Sequence, residues 1–412
     1  MSNLPDNLDS CEANETSFSL RYHERVVEYL SSQRSSLWQW YSDLKHRQEA
    51  TENAKLELLK TAYRLDRDTA SISYLQCDAI TKAMNIDAPV TLYQSQKADS
   101  RNIAICQVPD EVHIVLYGPI QDLLSETEME AVLAHELAHF ELWRLQNGDF
   151  GLAEEILIAM VNDRSAVPSY QRTFRTWKLY TELHCDVRSA QVTDNFDALI
   201  RALVKLETEQ TDVDTDAYLQ QVDEVLGKDN TGSRGFTHPE MYIRAKALAI
   251  WKDGSPEINE TVGRWIEGPP AIDELDVLQQ AKLRQFTTQF LTAFLTPEWL
   301  RTDVLLGYLW RFTDSPISAE SVVEPELKSY IDGCSASLKE YFCFLLLDLA
   351  TCDPDLEEAV LAAAFQVADR FGLTTEFRSL SSSQLKIGKR SLSRVMKEAE
   401  QIVSEAETRL VN

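Results

Sequence analysis

No apolar run in the 412 residues is longer than about seven, and the stretch 341–347 ends at Asp348. A spanning helix needs roughly 20 such residues, so neither a transmembrane segment nor membrane insertion is expected. Positive charge is scarce too: 40 Lys and Arg against 66 Asp and Glu leave a net charge of −26. Such a surface repels phosphate backbones and anionic lipid, which excludes nucleic acid as a default partner. The opening Met-Ser-Asn-Leu-Pro-Asp has neither the basic nor the apolar region of a secretory signal, and a cytoplasmic location is expected. The seven cysteines, at 11, 77, 106, 185, 334, 343 and 352, form no CxxC pair. That pattern fits reduced thiols in small core positions better than a disulfide framework. What remains, 44% hydrophobic and 26% charged, is the composition of a globular protein of two or three domains.

Residues 1–16 are polar and are expected to be disordered. From 18 to 65 there is no Gly or Pro, and Val27, Leu30, Leu37, Tyr41 and Leu44 recur at helical spacing. One long helix broken near 32–36 is expected there, with Trp38, Trp40 and Tyr41 as a packing face. A further helix is expected over 66–84. Segments 90–93, 103–107 and 112–116 are short and β-branched, which suggests a small sheet. Helical patterning resumes at Glu126 and runs to about Trp251. The stretch 253–273 carries Gly254, Pro256, Gly263 and Gly268-Pro269-Pro270 and reads as a linker or domain border. Beyond it, 274–411 reads as wholly helical. The expected class is mostly α (α+β). Its parts are an N-terminal tail and helical extension (1–60), a core domain (61–252), a linker (253–273) and a helical C-terminal domain (274–412).

The chemistry concentrates in 125–139. Ser125 and Glu128 form a capping box, with Leu124 and Met129 as its staple, so the following His135-Glu136-Leu-Ala-His139 lies on a helix. At 3.6 residues per turn the two histidines stack on one face and can converge on one ion. Glu136 lies beside them, placed to touch water at the metal rather than the metal itself. The competing reading is a surface helix that happens to carry two histidines. The apolar neighbours Val132, Leu133, Ala134, Leu137, Ala138 and Phe140 argue against it, because they would bury both rings, and buried rings need partners. A catalytic zinc takes three protein ligands, so a third must come from elsewhere. On the helical stretch 170–192, Glu182 and Asp186 share a face at i, i+4. Spacing alone leaves two readings, a ligand with its orienting partner or a solvated acidic face. His184 points about 200° away from Glu182 around the helix, so the two cannot both reach one ion.

Taken in order, these elements resemble the M48 family of gluzincin metallopeptidases, which includes the CAAX prenyl proteases and the HtpX heat-shock proteases. The likeness spans about 66–250. It covers a helix and strand before an Asn-containing segment at 102–106, a following strand leading to Gly118 and 120–124, then Glu128 to His139. Glu182-Leu-His-Cys-Asp186 follows, with Cys185 where the family usually has Ala, and Thr237-His238-Pro239 with Arg244 closes the series. The resemblance implies a gluzincin core with a small sheet, holding one Zn²⁺ per chain through His135, His139 and Glu182. It implies Glu136 as general base and Asp186 as the residue orienting His135. His238 would stand beside the oxyanion, supported by Arg244, with Tyr242 a weaker candidate donor. For His238 the alternative is a helix N-cap, since Pro239 suits a first helical position. The implied substrate is a protein or peptide. Prenylated or membrane substrates are not implied, because this chain carries no membrane segment.

Two segments depart from that pattern or lie outside it. Residues 152–162 add a helical stretch between His139 and Glu182, either a lid over the cleft or a surface excursion. The segment 341–373 weakly resembles TerB-like (tellurite-resistance) helical domains, but Asp353-Pro354 stands where that family has Asp-Gly. Its acids also read simply as caps and dipole partners of a helix. The basic residues Lys386, Lys389, Arg390, Arg394 and Lys397 read as a solvated face. The C-terminal half is therefore expected to bind a regulatory protein partner, and the N-terminal helices to restrain the cleft until a signal arrives. Two rival functions stand beside a soluble zinc endopeptidase. One is a latent or inactive protease-fold scaffold, against which the intact Glu136 argues. The other is a zinc aminopeptidase, for which no amine-recognition motif is evident.

Overall fold

The computed structural model describes residues 20–96, 101–163, 166–228, 232–268, 270–313, 323–385 and 387–411. The polar segment 1–16, Cys11 and Lys386 lie outside them. The chain divides into two compact units, with the division after Gly268.

The first unit opens with α1 (Arg21–Gln33), α2 (Ser35–Ser42) and α3 (Leu44–Thr61). The helix breaks at Arg34, within the expected segment, and again at Asp43, whose backbone is extended. α2 buries none of its residues, and Trp40 stays 51% exposed. The aromatic cluster is thus only partly a packing face. α1 instead carries Tyr22, His23, Val26, Val27 and Leu30 into the interior.

Next comes the sheet. β1 (Ala62–Arg64) leads through α4 (Ser71–Ala83) to β2 (Val90–Ser95), β3 (Asn102–Cys106) and β4 (Val112–Tyr117). The spatial order is β1-β2-β4-β3; β2 and β4 are parallel, and the outer pairs are antiparallel. Alternation sorts the faces. Leu92, Ile103, Ile114 and Leu116 join one core with α4 and the helix that follows, while Tyr93 and Val115 meet Ala62 on the other face. β3 forms one edge of the sheet, with Ile105 opposite Ile114.

The remaining helices are α5 (Glu126–Trp143), α6 (Asp149–Asn162), α7 (Pro168–Thr193), α8 (Phe196–Thr208), α9 (Thr215–Lys228), α10 (Met241–Lys252) and α11 (Ile258–Glu267). Between α5 and α6 the chain reverses through Gln146, Asn147 and Gly148, all with positive φ. α6 is not a surface excursion, because Phe150, Leu152, Ala153, Glu154, Ile156 and Leu157 are buried, and none of its residues lines the cavity described below. α11 occupies the middle of the stretch read as a linker and buries Ile258, Val262, Trp265 and Ile266 along one face.

The second unit comprises α12 (Val277–Phe294), α13 (Asp303–Leu309), α14 (Glu324–Asp332), α15 (Ala336–Cys352), α16 (Glu357–Arg370), α17 (Thr374–Gln384), α18 (Lys389–Lys397) and α19 (Ala399–Val411). Its core is mainly leucine and alanine around the fully buried rings of Phe290, Phe342, Phe371 and Phe377. The acidic turn works structurally here: Asp353 accepts a hydrogen bond from Thr302 Oγ1 at 2.6 Å and one from Asp355 N at 3.2 Å. On α18, Arg394 pairs with Glu358 across to α16. Among the described residues no helix is long and apolar enough to cross a membrane. The six described cysteines are free thiols, four of them buried.

Candidate metal centre

α5 starts with the expected capping box: Ser125 Oγ accepts from Glu128 N at 3.3 Å, and Glu128 Oε2 accepts from Ser125 N at 2.9 Å. α8 anchors the same glutamate through Lys205 Nζ at 2.8 Å and Arg201 Nε at 3.3 Å. These contacts fix where α5 begins and therefore which face it turns to α7.

The two helices pack in opposite directions. Ser189 Oγ donates to Ala131 O at 2.6 Å, and further along His135 meets Asp186 and His139 meets Glu182. The result brings together three side chains from two helices. Nε2 of His135 and Nε2 of His139 are 3.2 Å apart, and the Glu182 carboxylate lies 3.4 and 3.5 Å from them. All three residues are buried, and one donor atom from each lies within 4.8 Å of the others. Among the described residues this is the one His/Cys/Asp/Glu group able to hold a metal ion.

The electrostatics favour a cation at that point. Burial disfavours a charged His135, yet the neighbouring Asp186 and Glu182 outweigh it and push the imidazole up to about 10. Burial and the His135 charge hold His139 well below its ordinary value, against the pull of Glu182. Burial works against the Glu182 charge as well, but the two histidines and Arg244 keep it ionised. The paired carboxylates of Glu182 and Asp186 beside the two rings supply the negative charge that such a cation would meet. Two imidazoles and one carboxylate are nitrogen and oxygen donors of the kind that divalent transition metals accept.

Around these three the other expected residues take definite places. Asp186 Oδ1 lies 3.0 Å from His135 Nδ1. Arg244, on α10, donates two hydrogen bonds to Asp186 at 2.7 and 2.6 Å and lies 3.6 Å from Glu182. Its hydrogen bonds go to Asp186, and its charge, after burial, also helps hold the His238 imidazole below its ordinary value against the pull of Glu182. Glu136 Oε2 accepts the Ile105 N–H at 2.8 Å, and burial pushes its carboxyl up to about 7 despite the His135 charge. His238 sits at the rim, 60% exposed, with Nε2 3.6 Å from Glu182 Oε1. It does not cap a helix: α10 begins at Met241 with Glu240 as N-cap, so Pro239 precedes the helix. Cys185 packs in the core beneath the site, where burial holds its thiol protonated. His184 stays apart from the cluster, and Tyr242 is not among the residues lining the cavity.

That cavity is about 700 Å³. β3 and the residue before it contribute 101–105; the α5 histidines, Lys178 and Glu182 form its floor; Leu199, Leu203 and Leu206 of α8 make an apolar wall. Sequence reasoning missed Lys178 and its partner. Lys178 lies one turn before Glu182 on the same face of α7, so helical spacing was the available signal. It pairs at 3.0 Å with buried Glu154 of α6, which also accepts from Trp143 and Trp177.

No residue of α1, α2 or α3 lines the cavity, so the described residues do not show the restraint expected of the N-terminal helices. α1 is part of the support instead: His23 is fully buried, 2.9 Å from Thr181 Oγ1, next to Glu182 in the chain, and packs on Trp177. A chain beginning at Leu58 should therefore be destabilised, not activated. Losing Val26, Val27 and Leu30 alone removes about 1.5–3 kcal/mol each, a large part of the ~5–15 kcal/mol typical of a whole domain. Thermal melts and casein cleavage check this; an unchanged melting temperature with faster cleavage would restore the latency reading.

No family model, curated protein or solved structure matches the chain. What the structure establishes is a mostly helical protein with a small mixed sheet and a buried group able to hold a metal ion.

Proposed function

We propose that the chain is a zinc-dependent endopeptidase of the M48 gluzincin type. The observation that carries this reading is Glu136: a carboxylate beside three converging metal donors, with one oxygen fixed by the Ile105 N–H of an edge strand. His135, His139 and Glu182 would hold the ion, which when bound supplies Lewis-acid polarisation and lowers the pKa of water from 15.7 toward about 7. Glu136 takes the proton of the attacking water and returns it to the leaving amine. Asp186, itself held by Arg244, keeps the His135 ring aimed at the centre. His238 reaches over Glu182 from the rim and offers its ring N–H to the developing oxyanion. Ile105 directs its N–H away from β4 toward Glu136, and the period of two turns the backbone of Ile103 the same way. An extended peptide would pair along that edge and bring its scissile carbonyl to Glu136.

The test is hydrolysis of casein by the purified protein. Cleavage is expected to stop with 1,10-phenanthroline and to return on adding zinc. Metal-loaded protein that leaves casein and a mixed peptide library intact would overturn the reading.

A further inference from the structure

His238 is carried by the loop 232–240, which has little regular structure yet is tied down on every side. From α7, Arg175 donates through Nε to Gly235 O at 2.8 Å, through Nη1 to Ile266 O at 3.4 Å and through Nη2 to Ser233 O. Ser233 N donates to Trp265 O. Trp265 and Ile266 belong to the last turn of α11, where helix carbonyls lack partners within the helix, so the loop and Arg175 complete that helix end. Glu240 closes the other side. Its side chain turns back from the start of α10, accepting from Ser233 Oγ at 2.7 Å and from Arg234 N at 2.7 Å. The turn between is so tight that a Cβ on Gly235 would lie 1.9 Å from His238 O, a backbone atom with nowhere to go.

We propose that Arg175, Gly235 and Glu240 form a clasp that positions His238 against the metal centre. An exposed histidine on an untied loop would lose conformational freedom each time it reached the site, and a displacement of about 1 Å at a reacting centre can cost 10²-fold. The clasp places the ring in advance. All three are positioning residues, since none lies at the reacting atoms. Their role rests on the peptidase reading only for its kinetic consequence.

The experiment uses full-length protein loaded with cobalt(II), with histidine rings labelled with ¹³C. In the wild type the His238 signal, assigned by its loss in His238→Ala, should be strongly shifted or broadened by the nearby ion. Gly235→Ala and Glu240→Gln should return it toward its diamagnetic position while leaving His135 and His139 unchanged. Arg175→Ala should do the same and Arg175→Lys less so. In metal-free protein, amide exchange over 233–238 should rise in the same variants. In peptide cleavage they should lower kcat by no more than His238→Ala does, with KM unchanged, and each combined with His238→Ala should be no slower than His238→Ala alone. An unmoved His238 signal, unchanged loop exchange or multiplicative losses would overturn the clasp. If Gly235→Ala does not fold, Glu240→Gln and Arg175→Lys carry the test. Wild-type protein that cleaves nothing would sink the peptidase reading alone, with the cobalt and exchange results still deciding the clasp.

Discussion

Glu182→Ala is expected to abolish stoichiometric metal binding. Purified wild-type protein should carry about one zinc per chain by elemental analysis, since the site offers three donors. Without Glu182 only two imidazoles on one helix remain, and affinity should fall by more than the ~10–100-fold that follows loss of a residue merely supporting a ligand. The variant also leaves Arg244 with one carboxylate neighbour fewer. Glu182→Gln, which keeps the shape, therefore serves as the check against simple unfolding. His184→Ala, two residues along the same helix but outside the cluster, should keep its zinc. Normal zinc in both Glu182 variants would remove it from the ligand set.

The second large effect separates an enzyme from a scaffold. Glu136→Gln keeps an acceptor for the Ile105 N–H and removes only the ability to take a proton. It also relieves the burial of an ionisable group, so the melting temperature should hold or rise slightly. Zinc content should not change. Cleavage should drop by at least the ~10²–10⁴-fold typical of losing a general base. His238→Ala should keep zinc and lose a smaller factor, about 10²–10³-fold for one oxyanion donor. An unchanged cellular phenotype in Glu136→Gln would mean that the biological role is not proteolysis and would favour the scaffold.

The parts of this molecule readable from sequence are those set by local periodicity. α5 announced itself through its capping box and two histidines one turn apart, and β2, β3 and β4 through short β-branched runs between polar turns. β1 was hidden because its three residues follow a helix without a break, and only pairing with 93–95 makes them a strand. The stretch 253–273 does hold the division between the units, after Gly268, but its middle is α11 and not a linker. Gly254, Pro256 and Gly268 mark loops, but Ile258, Val262, Trp265 and Ile266 between them already fell at i, i+4, i+7 and i+8. At the site, spacing showed which residues share a face of α5 or α7, but not that the two faces meet. That depends on tertiary packing: Ser189 against Ala131, Asp186 against His135. Lys178 and Arg175 escaped for the same reason, since each takes its role from a partner far along the chain, Glu154 for one and Gly235 for the other.

His135 and His139 come from α5, Glu182 from α7, and all of α6 lies between them in the chain. An ion bound by all three would cross-link helices that the unfolded chain keeps apart, so its binding energy would add to the free energy of folding. By mass action the gain is about 2.7 kcal/mol when free metal is 100 times its dissociation constant and about 4.1 at 1,000 times. Protein made where metal is scarce would then be less stable and more exposed to degradation. The steady-state amount of this protein would follow the local supply of the ion as well as the rate of its synthesis.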